Sequence, residues 1–192
     1  MKKSILCFAL LLTTMATSCA KKSADSPVNS PADMAATESV ANEQTVAVAP
    51  NVHQIPTNIS GKDALEKIKA EHKGKVVLID FWATWCPPCI AAMQTIKEIK
   101  PALKEKGAVF VYITGETSPE EDYTQIVPTI DGEHYRLTDK QWAEIGTLLG
   151  MRGIPAFMLI GKDGNVAYSN TTEGGYPGNE LIKNQIEVAL TK

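Results

Sequence analysis

A run that is apolar except for one aspartate stands shortly before two cysteines in the sequence. Residues 76–82 read Val-Val-Leu-Ile-Asp-Phe-Trp, and Cys86-Pro87-Pro88-Cys89 follows a few residues later. A short apolar run of this kind is typical of a strand buried on both faces of a sheet. Prolines are tolerated in the first turn of a helix, where the amides lack partners in any case. The sequence therefore predicts a buried strand followed by a helix that begins at the cysteine pair.

The helix start gives the two cysteines different expected roles. A cysteine at a helix N-terminus faces unpaired backbone N–H groups and the positive end of the helix dipole, and both favour the thiolate. Cys86 is therefore the expected nucleophile. Cys89 lies one turn further on, close enough to form a disulfide and deeper against the core. We expect Cys89 to resolve a mixed disulfide at Cys86, so Cys86–Cys89 is the predicted redox disulfide.

Composition and charge narrow the class of protein. The chain has 192 residues, 44% of them apolar and 21% charged, which fits one globular domain with additional segments. A mostly disordered chain and a multi-span membrane protein are both excluded. There are 19 Lys and Arg residues against 22 Asp and Glu residues, so no excess of positive charge is present to neutralise phosphates. Nucleic acid is not an expected partner.

The N-terminus has the pattern of an export signal. Lys2 and Lys3 precede an apolar stretch at 5–12, which is shorter than the roughly 20 residues of a membrane-spanning helix. Residues 1–18 are therefore predicted to be a signal peptide. Ala16-Thr17-Ser18-Cys19 resembles the lipobox of bacterial lipoproteins, although Leu is usual where Ala16 stands. We expect lipidation of Cys19, with plain cleavage near residue 18 as the alternative.

Residues 19–58 are predicted to be a flexible tether. They are rich in Ala, Ser, Thr, Asn and Pro and show no sustained periodicity. Cys19 is followed by Ala20-Lys21-Lys22 rather than by an acidic run, which favours the periplasmic face of a membrane. After cleavage and lipidation only Cys86 and Cys89 remain as thiols, in a compartment where disulfides persist.

The remaining chain, residues 59–192, is predicted to be one α/β domain. Periodicity and turn residues give the order α, β, α, β, insert, α, β, β, α, with a kink or break at Pro101 and a hairpin turn at 162–165. Ser60 and Thr138 are expected helix caps. The insert, residues 115–137, receives no secondary-structure assignment.

Two motifs resemble the thioredoxin superfamily. Val-Leu-Ile-Asp-Phe-Trp-Ala-Thr-Trp-Cys-Pro-Pro-Cys at 77–89 and Gly-Ile-Pro at 153–155 are similar to TlpA/ResA-type membrane-tethered thioredoxin-like proteins. The resemblance implies a thioredoxin fold, with a central mixed sheet flanked by helices, an N-terminal helical extension and a central insert. It implies that Pro155 is cis beside the cysteines and that Ile154 offers backbone groups to an extended substrate. It also implies that Trp85 shapes the surface that binds substrate.

Asp80 is the only charged residue in the apolar run at 76–82. By resemblance to thioredoxin it lies beneath Cys89 and accepts its proton, and burial is expected to raise its pKa. The alternative is an aspartate at the end of a strand that simply reaches solvent. ResA-type proteins often carry Glu as the acid near the cysteines, whereas this chain has Asp80 at the thioredoxin-like place.

The resemblance implies an enzyme, a thiol-disulfide oxidoreductase of the bacterial envelope that needs no cofactor and acts as a monomer. Reduction of protein disulfides is the expected direction, with electrons from a membrane thiol carrier and with oxidised envelope proteins or apocytochrome c as substrates. A disulfide oxidase or isomerase and a copper chaperone remain alternatives. No metal site is expected, because His53 lies in the predicted tether and His72 and His134 show no ligand spacing. His134 is interpreted as an insert or surface feature rather than as a catalytic base.

Overall fold

The structure is a computed structural model that describes residues 51–192. The predicted signal peptide, Cys19 and most of the predicted tether lie outside the described residues. Within residues 51–192 no helix is long and apolar enough to cross a membrane.

Six strands form one mixed sheet. They are β1 (Val52–His53), β2 (Val76–Phe81), β3 (Ala108–Gly115), β4 (Glu133–Leu137), β5 (Ala156–Ile160) and β6 (Val166–Ser169). The strand order is β1-β4-β3-β2-β5-β6. Strands β1, β4, β3 and β2 are parallel neighbours. Strand β5 runs antiparallel to both of its neighbours, β2 and β6. The predicted mixed sheet is confirmed, with β2 at its centre.

Residues 51–192 also contain six α-helices. They are α1 (Gly61–Glu71), α2 (Pro87–Ile96), α3 (Lys100–Glu105), α4 (Glu120–Ile126), α5 (Asp139–Leu148) and α6 (Asn179–Leu190). Pro101 lies in the first turn of α3, so the break predicted there is confirmed. The Ser60 side chain caps α1, and Thr138 and Gln141 form a complete capping box on α5.

The core consists of two apolar layers, one on each face of the sheet. Every residue of β2 is buried, and alternate residues point to opposite faces. Leu78 and Trp82 belong to the layer that contains both cysteines and the buried residues of α2 and α6. Ile79 and Phe81 belong to the layer that contains the buried residues of α1 and α5. Helices therefore cover both faces, as a central strand buried on two sides requires.

The insert contributes regular structure that the sequence does not reveal. It contains α4, a single 3-10 turn at Val127–Thr129 and the strand β4, which pairs with β3 along its whole length. His134 lies in β4 and is buried, with its Nε2 atom 2.9 Å from the carbonyl oxygen of Ile130. The interpretation of His134 as a surface feature is therefore wrong, because β4 places this residue between β3 and β1 in the sheet.

The folded part begins earlier than the expected boundary at residue 59. Val52 and His53 form β1, which pairs with His134 and Tyr135 of β4 at the edge of the sheet. Two residues of the segment predicted as tether are therefore part of the sheet. A strand of two residues has no periodicity, and its pairing partner lies 82 positions away, so local sequence patterns do not predict it.

Candidate active site

The two cysteines lie at the point where β2 passes into α2. Cys86 is the N-cap residue of α2, and Pro87 and Pro88 occupy the first helical positions. Cys86 and Cys89 are joined by a disulfide, with their Cα atoms 5.3 Å apart. The backbone amide of Cys89 donates to Cys86 Sγ over 3.2 Å. The helix start therefore supplies both a hydrogen bond and its positive dipole end to the sulfur expected to act as the nucleophile.

The two sulfur-bearing residues differ in accessibility. Cys86 keeps 4% of its surface exposed and Cys89 keeps none. Trp85, immediately before Cys86, is 59% exposed and is the most exposed large apolar residue of residues 51–192. An incoming disulfide can therefore reach Cys86 but not Cys89, and Trp85 offers an apolar surface beside the point of attack.

A distant loop completes the rim of the site. The Ile154–Pro155 peptide bond is cis, as the resemblance implies. The carbonyl oxygen of Ile154 lies 3.8 Å from Cys86 Sγ. Gly175 donates its amide to the carbonyl oxygen of Pro155 over 2.7 Å, which ties the loop after β6 to the same segment. The structure thus brings Trp85, Cys86 and Ile154 together at one surface.

Asp80 lies in the buried layer beneath the cysteines. Its position in β2, between Leu78 and Trp82, directs it to the face that holds Cys86 and Cys89. It is 2% exposed, and neither carboxylate oxygen has a hydrogen-bond partner among residues 51–192. Burial raises the pKa of the Asp80 carboxyl well above its ordinary value, and the charge of Lys100 opposes part of that rise. The alternative of a solvent-reaching aspartate is therefore wrong.

Lys100 is a buried cation that no sequence motif marks as part of the site. Its Nζ atom donates to Tyr112 Oη over 2.5 Å and to the carbonyl oxygen of Asp131 over 2.7 Å. Tyr112 is the register partner of Asp80 on β3, so their side chains lie next to each other on one face. Burial lowers the pKa of Lys100 to about 8. One sequence signal for its burial exists, since Lys100 stands at helical spacing from Ile96 and Leu103 in the sequence.

Comparison with known proteins shows the family to which the chain belongs. A family model described as Thioredoxin-like matches residues 74–166. The thiol-disulfide oxidoreductase ResA of Bacillus thuringiensis (strain Al Hakam) is 36% identical over 124 residues, which cover 62% of this chain and 64% of the relative. The ResA protein of Bacillus thuringiensis subsp. konkukian (strain 97-27) is 33% identical over 149 residues, which cover 75% of each chain. The chain belongs to the thioredoxin-like proteins of the ResA type.

Solved structures agree with this family assignment. A thiol:disulfide interchange protein of the thioredoxin family from Chlorobium tepidum TLS has a TM-score of 0.52 and 25% sequence identity. The match covers 64% of this chain and 84% of that structure. The ResA-type chain therefore has the thioredoxin fold, with its cysteine pair at the start of α2. The match to the first of the two ResA relatives leaves about a third of that protein's length uncovered.

Proposed function

We propose that this protein is a thiol-disulfide oxidoreductase that reduces protein disulfides through the Cys86/Cys89 dithiol. The strongest support is the position of Cys86, at the N-terminus of α2 and facing the carbonyl oxygen of Ile154. A thiolate there is stabilised by the helix start, and the adjacent backbone can pair with an extended substrate chain. Trp85, Ile154 and Pro155 are the proposed substrate-binding residues.

The reaction proceeds in two exchange steps. The Cys86 thiolate attacks one sulfur of the substrate disulfide, which forms a mixed disulfide and releases the other substrate sulfur as a thiolate. Cys89 then loses its proton and attacks Cys86 Sγ. This step forms the Cys86–Cys89 disulfide and releases the second substrate thiolate. Two electrons pass to the substrate, and the protein ends in the oxidised form that the structure shows.

Asp80 is proposed to accept the Cys89 proton in the second step. A carboxyl with an ordinary pKa is a poor base at neutral pH, because it holds a proton too weakly. Burial raises the pKa of Asp80 and so brings it closer to the pH at which the reaction runs. The side chain is buried in the same layer as Cys89, so the two groups share one desolvated environment.

The cell envelope is the proposed location, with a lipid on Cys19 as the anchor. The support is the N-terminal sequence, in which two lysines and an apolar stretch precede Cys19. Outside the cytoplasm the dithiol needs electrons from a membrane thiol carrier, and oxidised envelope proteins or apocytochrome c are the proposed substrates. The mature protein is proposed to act as a monomer facing the periplasm.

The direction of electron flow has a direct test. Acid-quenched thiol trapping in intact cells measures whether Cys86 and Cys89 are a dithiol or a disulfide at steady state. We expect a dithiol, together with an equilibrium potential nearer to about −270 mV, as in thioredoxin, than to about −120 mV, as in a strong oxidant. A disulfide in cells combined with an oxidising potential contradicts the reductive direction and supports an oxidase.

A further inference from the structure

Ser118, in the insert, contacts the loop that carries Cys86. Its side chain is completely buried. Its hydroxyl accepts a hydrogen bond from the backbone amide of Thr84 over 3.0 Å and shares another with Thr114 Oγ1 over 2.7 Å. Thr84 stands two residues before Cys86 and one before the exposed Trp85. The insert therefore bonds directly to the backbone that leads into the cysteine pair.

Ser118 is itself held in place by the sheet. Its amide donates to the carbonyl oxygen of Gly115 at the end of β3 over 3.0 Å. Its carbonyl oxygen accepts from Arg136 Nε of β4 over 3.0 Å. Because β3 and β4 are paired strands, the hydroxyl of Ser118 occupies a position that these two strands determine. It can therefore act as a fixed support for the loop.

The loop between β2 and α2 is supported at three amides. Trp82 donates to the carbonyl oxygen of Ile113, and Cys86 donates to that of Ala83, each over 3.1 Å. Thr84, between them, is held by Ser118. This middle support is supplied by a side chain, so a single substitution can remove it without changing the other two.

A second contact from the insert reaches the same loop. The ring of Tyr123, in α4, stacks on the indole of Trp82 with 6.4 Å between ring centroids and an interplanar angle of 27°. Ser118 and Tyr123 lie five residues apart in the insert and contact residues two apart in the loop. The insert thus contacts the loop at two places, Trp82 and Thr84.

We propose that Ser118 is a positioning residue that presents Trp85 and Cys86 to extended protein substrates. This inference rests on the proposed function. An extended chain binds along a surface, so part of its binding free energy is lost in ordering that surface when the surface is mobile. A small disulfide reagent needs only the sulfur of Cys86. Loss of the Ser118 hydroxyl is therefore expected to slow exchange with a peptide disulfide and to leave exchange with a small reagent intact.

Two substitutions separate positioning from general damage to the fold. Ser118→Ala removes the acceptor for the Thr84 amide. Thr114→Val removes the other hydrogen bond of Ser118 and retains the Thr84 support. Rates are measured for the fully reduced full-length protein, with Cys7 and Cys19 replaced by Ser in every sample so that only Cys86 and Cys89 carry thiols. Two probes are used, a disulfide-linked pair of extended peptides and the small aryl disulfide DTNB. Hydrogen exchange at the Thr84 amide reports directly on the loop.

For Ser118→Ala we expect a rate with the peptide disulfide about fivefold lower, the factor that one net hydrogen bond of about 1 kcal/mol corresponds to. The DTNB rate stays at the wild-type value, and exchange of the Thr84 amide becomes faster. Thr114→Val keeps the wild-type rates with both probes. Equal rates of Ser118→Ala and wild type with the peptide, or equal losses in both variants, overturn the inference. A wild-type protein that reacts with neither probe instead overturns the proposed function.

Discussion

Cys86 Sγ lies 3.8 Å from the carbonyl oxygen of Ile154, although the two residues are 68 positions apart in the chain. The first follows the central strand β2 and the second precedes its antiparallel neighbour β5. Pairing of these two strands therefore places the sulfur beside a backbone acceptor on a different loop. Under the proposed function, a substrate chain that lies along this loop has its disulfide next to Cys86, and backbone pairing of this kind requires few specific side chains.

Replacing Asp80 with Asn is expected to slow resolution of the mixed disulfide. The rate falls on the order of 100-fold at neutral pH, the usual scale for loss of a general base. The deficit shrinks as pH rises, because the Cys89 thiol then loses its proton without help. Stopped-flow measurement of the second exchange step tests this, with the exposed Asp122→Asn as the control. An Asp80→Asn rate equal to wild type removes Asp80 from the mechanism.

The same substitution is expected to change how stability depends on pH. Because burial raises the pKa of Asp80 above the ordinary value of 3.8, the folded protein holds a proton that the unfolded chain has already lost. The free energy of unfolding therefore falls as pH rises through this window. Asp80→Asn loses this dependence and is more stable than wild type at neutral pH. Urea unfolding across the pH range measures both quantities, and parallel curves for the two proteins would show the expectation to be wrong.

Lys100→Met is expected to move the pH profile of resolution. The Lys100 charge lowers the pKa of Asp80. Removing that charge raises the pKa further, so the rise of the resolution rate with pH moves to higher pH. Lys104→Met, which removes an exposed lysine of the same helix, leaves the profile in place. In an Asp80→Asn background neither lysine variant shifts the profile, and a shift there assigns the effect to another group.

The elements that the sequence predicts are those with a local signal. The apolar run of β2 and the cysteine pair at the start of α2 were predictable because burial on two faces and a helix start each leave a contiguous pattern. The strand β4 is not predictable from a local pattern, because Glu133, His134 and Arg136 give it no apolar run. Its pairing depends on β1 and β3, which lie elsewhere in the chain. The contacts of Ser118 and Lys100 are not predictable for the same reason, since their partners lie on other elements.

Two glycine substitutions test the packing of the layer opposite the cysteines. A Cβ atom on Gly115, at the end of β3, meets Trp142 Cγ at 2.8 Å, so Gly115→Ala is expected to lower the free energy of unfolding by about 1–3 kcal/mol. Gly146, in α5, has open space around the same position. Gly146→Ala is expected to stabilise the protein by about 0.5–1 kcal/mol, because alanine favours the helix. Urea unfolding compares the two, and a Gly115→Ala protein as stable as wild type contradicts the packing described here.

The identity of the cysteine that attacks substrate tests the account most directly. Reduced Cys89→Ala and Cys86→Ala proteins are mixed with the disulfide-linked peptide, and the adducts are identified by mass spectrometry. The account predicts that Cys89→Ala accumulates a mixed disulfide on Cys86, because the thiol that resolves it is missing. Cys86→Ala forms no adduct on Cys89, because Cys89 is completely buried. A stable peptide adduct on Cys89, or none on Cys86, contradicts the proposed roles of the pair.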